Sequence, residues 1–318
     1  MFNVSRNFRQ THQNYSHCSG CSLCLLVCPM WRQHHDIRFT PQGHAKALQQ
    51  AVKIEELSET MFACHACGAC QPVCPENIAI IPMFMNLRQQ LAEKPIALGN
   101  VASIHAIMQE NLTQPIEKIK TSSSLLAGNH LRQHPEILQQ VLTLLGNKTT
   151  LSADDGEDII QAMHMGVEIP SARLEKFLQP LRKLKQLIVS EGFLYMNLQQ
   201  WLPKVKIRSL GEVLTSLPTI YTKLCATDLY IIECRAYHAD FERLVKHYDQ
   251  LRKTVFCQFN LDLQRIAIPT TSDNANDHRQ AKWVLEGRQI KRIVVENMAD
   301  SVILQQVTDV PIVHLATI

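Results

Sequence analysis

The sequence has no run approaching the roughly 18 uninterrupted apolar residues of a membrane-spanning helix. Its opening stretch, Met1 to His17, is rich in Asn, Gln and Arg and lacks the apolar core of a secretory signal peptide. Arg6 and Arg9 are not adjacent, so the twin-arginine pattern of folded-state export is missing too. There is little excess charge of either sign. The formal net charge of +3 is too small to argue for nucleic acid or an anionic membrane as partner. No Gly-x-Gly-x2-Gly follows any candidate strand, which removes the dinucleotide-binding fingerprint. What is left is the profile of a soluble globular protein, 46% hydrophobic and 19% charged, whose 318 residues suffice for two or three domains. The cytoplasm is its expected location, with peripheral membrane contact left open.

Cysteine is present and unevenly spread. Of 11 cysteines, eight fall in two runs of identical spacing, Cys-x2-Cys-x2-Cys-x3-Cys-Pro. The first is Cys18, Cys21, Cys24, Cys28 and Pro29; the second is Cys64, Cys67, Cys70, Cys74 and Pro75. Three thiolates at two-residue gaps can curl around three iron corners of one cubane, while the fourth, set off by a longer gap and a proline, ligates the other cluster of a two-cluster protein. The spacing therefore predicts two 4Fe-4S clusters, one on Cys18, Cys21, Cys24 and Cys74, the other on Cys64, Cys67, Cys70 and Cys28. A structural zinc site would use four ligands and leave half of these cysteines idle. A disulfide framework would need an oxidising compartment and usually a much smaller domain.

The residues around the runs carry further expectations. Leu23, Leu25, Leu26 and Val27 promise an apolar wrap that shields a cluster from water, one of the protein's levers on potential. Trp31 either covers the same cluster or packs as an ordinary core tryptophan. His34, His35 and Asp36 look like a metal trio, but adjacent side chains diverge on either regular element. Thr40-Pro41-Gln42-Gly43 reads as a turn, followed by a helix that packs on Ala47, Ala51 and Ile54. In the second run His65 could donate to a sulfur or face solvent, and Gly68 and Ala69 allow close backbone approach.

The two runs, the intervening segment long enough for a helix or two, and the apolar helix Ile78 to Leu91 resemble an alpha-helical ferredoxin rather than the compact bacterial type. They are similar to the iron-sulfur C subunit of heterodisulfide reductase. They also resemble the amino-terminal half of the anaerobic glycerol-3-phosphate dehydrogenase C subunit, and the iron-sulfur subunits of glycolate oxidase, lactate utilisation and succinate dehydrogenase. The likeness covers about the first third of the chain. It implies clusters that carry single electrons between a catalytic partner, such as a flavoprotein or a cysteine-rich reductase subunit, and another carrier.

Beyond residue 98 the expected organisation is a helical connector over 99–224 and a small α/β domain with a parallel core sheet over 225–318, behind the mainly α ferredoxin domain of 1–98. In the connector, amphipathic segments break at Pro115, Pro135, Gly146 to Thr150, Pro170 and Pro203. Its acidic stretch Ser152 to Asp158 suits a helix amino terminus better than a calcium loop. Arg173 to Lys185 reads as a core helix with a basic face, the alternative being a partner- or membrane-binding helix. Farther on, strands are expected at Leu229 to Glu233, Thr254 to Phe259, Arg292 to Glu296 and Val310 to His314, with helices at His238 to Arg252, Ala275 to Leu285 and Asp300 to Val307.

The resemblance implies that this last part is a degenerate copy of the family's cysteine-rich domain. Cys234 matches its first cysteine, but Cys-Cys-Gly is absent, and Asn297-Met298-Ala299-Asp300 stands where Cys-x2-Cys would fall. The expected function is an electron-transfer subunit of a heterodisulfide reductase-like complex, with sulfur metabolism as one setting. Two alternatives are a thiol or disulfide reductase whose Cys225, Cys234 and Cys257 converge, and a structural assembly subunit. Buried structural cysteine is the plainer account of those three.

Overall fold

A computed structural model of the chain describes residues 15–94, 101–116, 119–262, 264–270 and 278–318. It divides into two compact units, Met1–Gln114 with Asp158–Lys176, and Pro115–Glu157 with Phe177–Ile318. Most of the expected amino-terminal arm lies outside the described residues.

The first unit is helical: α1 (Leu23–Val27), α2 (Pro29–His34), α3 (Pro41–Gln49), α4 (Ser58–Phe62) and α5 (Ile80–Ala92). The expected turn at Thr40 is a helix start instead. Thr40 is the N-cap, its hydroxyl accepting from Gly43 N–H at 3.1 Å, and Pro41 occupies the first helical position, where its missing N–H costs nothing. α3 ends at Gln49, so the expected Ala47, Ala51, Ile54 stripe does not form; Ala51 is exposed at φ +58°. The inward face of α3 is Pro41, Gln42, His44 and Ala45. α5 supplies the core, with Ile80, Phe84, Leu87 and Leu91 at helical spacing against Leu57, Met61 and Ile78. His44 lies between the two helices, bonded to Thr60 Oγ1 at 2.8 Å and edge-on to Phe84, and burial lowers its pKa to about 4, so it is neutral at physiological pH. The later segment is tied in through Gly166, where a Cβ would overlap the Arg88 carbonyl, and through Lys176, which donates to the carbonyls of Asn111 and Leu112; within it a buried bidentate Arg173–Asp158 pair at 2.7 Å braces the fold.

The second unit carries two four-stranded parallel sheets. β1 (Ser123–Leu126), β2 (Thr149–Leu151), β3 (Gln186–Val189) and β4 (Lys206–Ser209) stand in the order β2-β1-β3-β4. β5 (Asp228–Ile231), β6 (Gln258–Phe259), β7 (Arg292–Val295) and β8 (Ile312–His314) repeat that order as β6-β5-β7-β8. The α/β part is therefore as expected, and four short strands within the otherwise helical connector add a second sheet. The helix expected at Ala275 to Leu285 is seen as Arg279–Leu285, its start lying outside the described residues. Leu174, Phe177, Leu178, Leu181 and Leu184 are all buried, so this basic helix is a core helix.

In a doubly wound sheet the ligand crevice lies beyond the carboxyl ends of the strands where the order reverses, here between β1 and β3 and between β5 and β7. This chain fills both crevices with its own carboxylates. Asp155 accepts from Ala127 N–H and Gly128 N–H, Glu191 from His130 N–H, and Glu233 from Arg235 N–H and Ala236 N–H. Glu296 accepts from Glu233 N–H at 2.9 Å and from the hydroxyls of Tyr230 and Tyr248 at 2.6 and 2.5 Å. Three of these acids press onto glycine: a Cβ at Gly128, Gly192 or Gly211 would overlap Glu191, Glu233 or Glu296. Glu233 and Glu296 follow strands of one sheet while Gly192 and Gly211 follow strands of the other, so the two sheets interlock at these ends.

Burial pushes Glu191, Glu296 and Asp300 each up to about 7. A carboxyl raised from its unfolded value binds more protons folded than unfolded across that interval, so its contribution to stability is greatest at or below pH 4.5 and is lost as pH rises through about 7. Thermal unfolding of the wild-type chain and Glu296→Gln, from pH 5 to 8, is expected to show a steeper fall for wild type, by about 3 kcal/mol across the range. Parallel curves would rule out Glu296 as a proton-linked group.

Candidate iron-sulfur site

The two cysteine runs adopt one backbone design twice. In the first, Gly20 and Ser22 sit at φ +82° and +67°; at the corresponding positions of the second, Ala66 and Gly68 sit at +50° and +79°. Left-handed residues alternating with the cysteines turn successive N–H groups inward, the anion-binding nest suited to inorganic sulfide and thiolate. A residue with a Cβ loses about 1 kcal/mol in that conformation, and each run relieves one of its two positions with glycine. Two hydrogen bonds also recur. Leu25 N–H donates to Ser22 O, as Gln71 N–H does to Gly68 O, both at 3.0 Å; Cys28 N–H donates to Leu25 O at 3.3 Å, as Cys74 N–H does to Gln71 O at 3.2 Å.

Cations hold both runs in place. Lys46 of α3 donates from Nζ to Cys18 O at 2.8 Å, and Arg88 of α5 donates from a terminal guanidinium nitrogen to Cys64 O at 2.5 Å. The carbonyl of the first cysteine in each run is thus bound by a positive side chain from a following helix. α3 adds Gln42 to Gly20 O and Gln49 to the carbonyls of Tyr15, Ser16 and Cys18. Arg88, only 1% exposed, also reaches Met61, Phe62 and His164 carbonyls. In the second run Gln71 accepts from Ile81 N–H at the start of α5.

The eight thiols separate into two groups. Burial raises the Cys24 pKa to about 12, countered by Gln42 N–H at the start of α3, and the charges that add to the rise are those of Cys18, Cys21 and Cys74. The same four thiols line one cavity. Cys28 is raised by burial and then by Cys64 and Cys67, against the N–H groups of Trp31 and Met30 at the start of α2. Cys70 is raised by burial and then by Cys67, Cys64 and Cys28, with Cys24 the least. The fourth cysteine of each run therefore lies among the first three of the other. Among the described residues, no three His, Cys, Asp or Glu side chains close around a single ion. Thiolates that each bind a different iron of a cubane stand farther apart than the ligands of one zinc. Two groups of four thiols, each with helix-start N–H groups at a sulfur, fit the donor needs of 4Fe-4S clusters.

Several local expectations change. Val27 is buried and Leu25 half-buried, but Leu23 and Leu26 are exposed, Leu26 by 59%, so these two do not join the expected apolar wrap. His65 is buried at 3%, not solvent-facing. His34 stacks on Phe39 and Asp36 pairs with Arg38, which leaves no metal trio. In the second unit, Cys225 and Cys257 lie at the amino-terminal end of β5 and β6, whereas Cys234 begins the helix after β5. Three residue steps of β5 alone, about 10 Å, separate the two ends, so the three cysteines do not converge. Cys234 and Cys257 are buried, and burial raises Cys257 to about 12.

Sequence comparison bears on the same region. Residues 14–78 match the family model described as a 4Fe-4S dicluster domain. A protein from Archaeoglobus profundus that is similar to the C subunit of heterodisulfide reductase is 29% identical over 87 residues, 27% of this chain and 45% of the relative. The match thus spans less than half of that relative. No solved structure matches the chain. Residues 14–78 thus carry the sequence pattern of a 4Fe-4S dicluster domain, and among the described residues no helix is long and apolar enough to cross a membrane.

If Arg88 holds the second run as Lys46 holds the first, Arg88→Met is expected to cost about 3 kcal/mol of stability and to lower iron content, with Arg88→Lys intermediate. Lys46→Met, which removes a half-buried ammonium bonded among the described residues only to Cys18 O and Gln49 Oε1, is expected to cost about 1 kcal/mol. Urea unfolding with parallel iron assay measures both; equal effects would contradict the difference in burial.

Proposed function

We propose that the chain is an electron-transfer subunit holding two 4Fe-4S clusters, one on Cys18, Cys21, Cys24 and Cys74 and the other on Cys28, Cys64, Cys67 and Cys70. The observation that carries this reading is the grouping of the thiols, each set drawing its fourth member from the other run. Bound there, the clusters would supply one-electron transfer, and no bond chemistry is required of the chain. The chain's own contribution is to fix eight thiolates, to direct the N–H groups of Gln42, Met30 and Trp31 at sulfur, and to place Lys46 and Arg88 behind the runs. Hydrogen bonds and cations around a cluster favour its reduced form and so raise its potential.

The setting we propose is a multi-subunit oxidoreductase of heterodisulfide reductase-like type in the cytoplasm, with a flavoprotein or a cysteine-rich reductase subunit as partner and sulfur metabolism as one context. The second unit then acts as scaffold or docking body. Support for that role is that its crevices are filled by its own carboxylates and that its three cysteines stand apart. The domain limits that go with this reading are 1–98, 99–224 and 225–318.

Anaerobically purified chain is expected to contain about eight irons and as many acid-labile sulfides. Cys70→Ser, which removes one ligand of one set, is expected to leave about four. Iron near one per chain, or complete loss in Cys70→Ser with the fold retained, would contradict two separately held clusters.

A further inference from the structure

The two runs share a backbone but not an environment. At matching positions, Ser19, Cys21, Ser22 and Leu23 are exposed, whereas His65 and Gly68 and Ala69 are buried and Cys67 is half-buried. Gly20 and Cys24 are half-buried where Ala66 and Cys70 are buried. The run's fourth cysteine reverses the comparison in keeping with the exchange: Cys28, which joins the second set, is buried, and Cys74, which joins the first, is half-buried. The cavity lined by Cys18, Cys21, Cys24 and Cys74 has Tyr15, Ile78, Ile80 and Met83 on its walls and the exposed Cys21 at its surface.

We infer that the chain has an outer and an inner site. The set Cys18, Cys21, Cys24 and Cys74 is the outer, labile one; the set Cys28, Cys64, Cys67 and Cys70 is the inner, retained one. This rests on the two-cluster reading above. A reagent that removes iron must reach a ligand sulfur or the metal beside it. At the outer set Cys21 offers that access in the folded state. At the inner set, two buried cysteines and the buried residues His65, Ala66, Gly68 and Ala69 require local opening first, and the opening equilibrium constant multiplies directly into the rate. A half-loaded chain that keeps only its inner cluster is then the first product of iron stripping, and the outer site is where iron supply would regulate the chain.

The test uses the full wild-type chain, loaded and handled anaerobically with EDTA as probe. Iron passes to EDTA, the inorganic sulfide leaves as hydrogen sulfide, and each freed thiolate takes a proton from water. Iodoacetamide labels thiols as they appear, and isotopically heavy iodoacetamide labels the remainder after denaturation, so peptide masses report the order of release. The expected result is two phases of equal amplitude, the first at least roughly tenfold faster than the second. Labels in the first phase should fall on Cys18, Cys21, Cys24 and Cys74, besides the exposed Cys225, which is labelled from the start. Release of all eight thiols at one rate, or of Cys64, Cys67 and Cys70 first, would overturn the inference. A first phase that labels Cys28 in place of Cys74 would support the outer site and refute the exchange of fourth ligands. Iron that stays near half of the two-cluster value after reconstitution with excess iron and sulfide would refute the reading on which the inference rests, and the inference with it.

Discussion

Each group of four thiols has to be assembled from both cysteine runs, and the first unit is arranged around that requirement. Cys28 lies among Cys64, Cys67 and Cys70, and Cys74 lies near Cys24. Neither group of four can close locally, so α3, α4 and α5 must bring two distant loops into register for either set to be complete. The polar residues of α3 act on the first loop by bonding its carbonyls through Gln42, Lys46 and Gln49. Arg88 acts on the second from inside the core. Because a buried guanidinium needs several acceptors to offset its desolvation, Arg88 both fixes the end of α4 and binds the carbonyl of Cys64.

The second unit shows the opposite use of polar groups. Two parallel sheets of the same strand order meet at the ends where such sheets bind ligands, and the donors there are spent on Asp155, Glu191, Glu233 and Glu296. Glu233 and Glu296 seat on glycines of the opposite sheet and Glu191 on Gly128 of its own, so the contact is steric as well as electrostatic. With Cys234 at one end of the sheet and Cys225 and Cys257 at the other, thiol chemistry has no common centre there. On the proposed reading this leaves one-electron transfer to the first unit and shape to the second.

How much of this could be read in the sequence depended on how local the cause was. The cysteine runs were legible because their spacing is dictated by the geometry of ligation itself. The strands of the second sheet were legible as short apolar runs, Leu229 to Ile232 and Arg292 to Val295, flanked by helical patterns. The first sheet was not: β1 opens on Ser123 and Ser124, β2 has three residues, and Leu187 to Val189 follow a strong helical period that masks them. Arg88 carried one readable signal, a cation on the Phe84, Leu87, Leu91 face of α5, but its acceptors come from other segments. The pairing of Lys46 with Arg88 needed coordinates, as did the exposure of Leu26, since apolar character alone does not say which side of a short helix is covered.

A crystal structure of the anaerobic chain with data collected above and below the iron absorption edge tests the central claim most directly. The account requires two compact peaks of iron anomalous signal, one bonded to Cys18, Cys21, Cys24 and Cys74 and the other to Cys28, Cys64, Cys67 and Cys70. A peak bonded to all four cysteines of a single run, or a single iron site in place of two clusters, would contradict it.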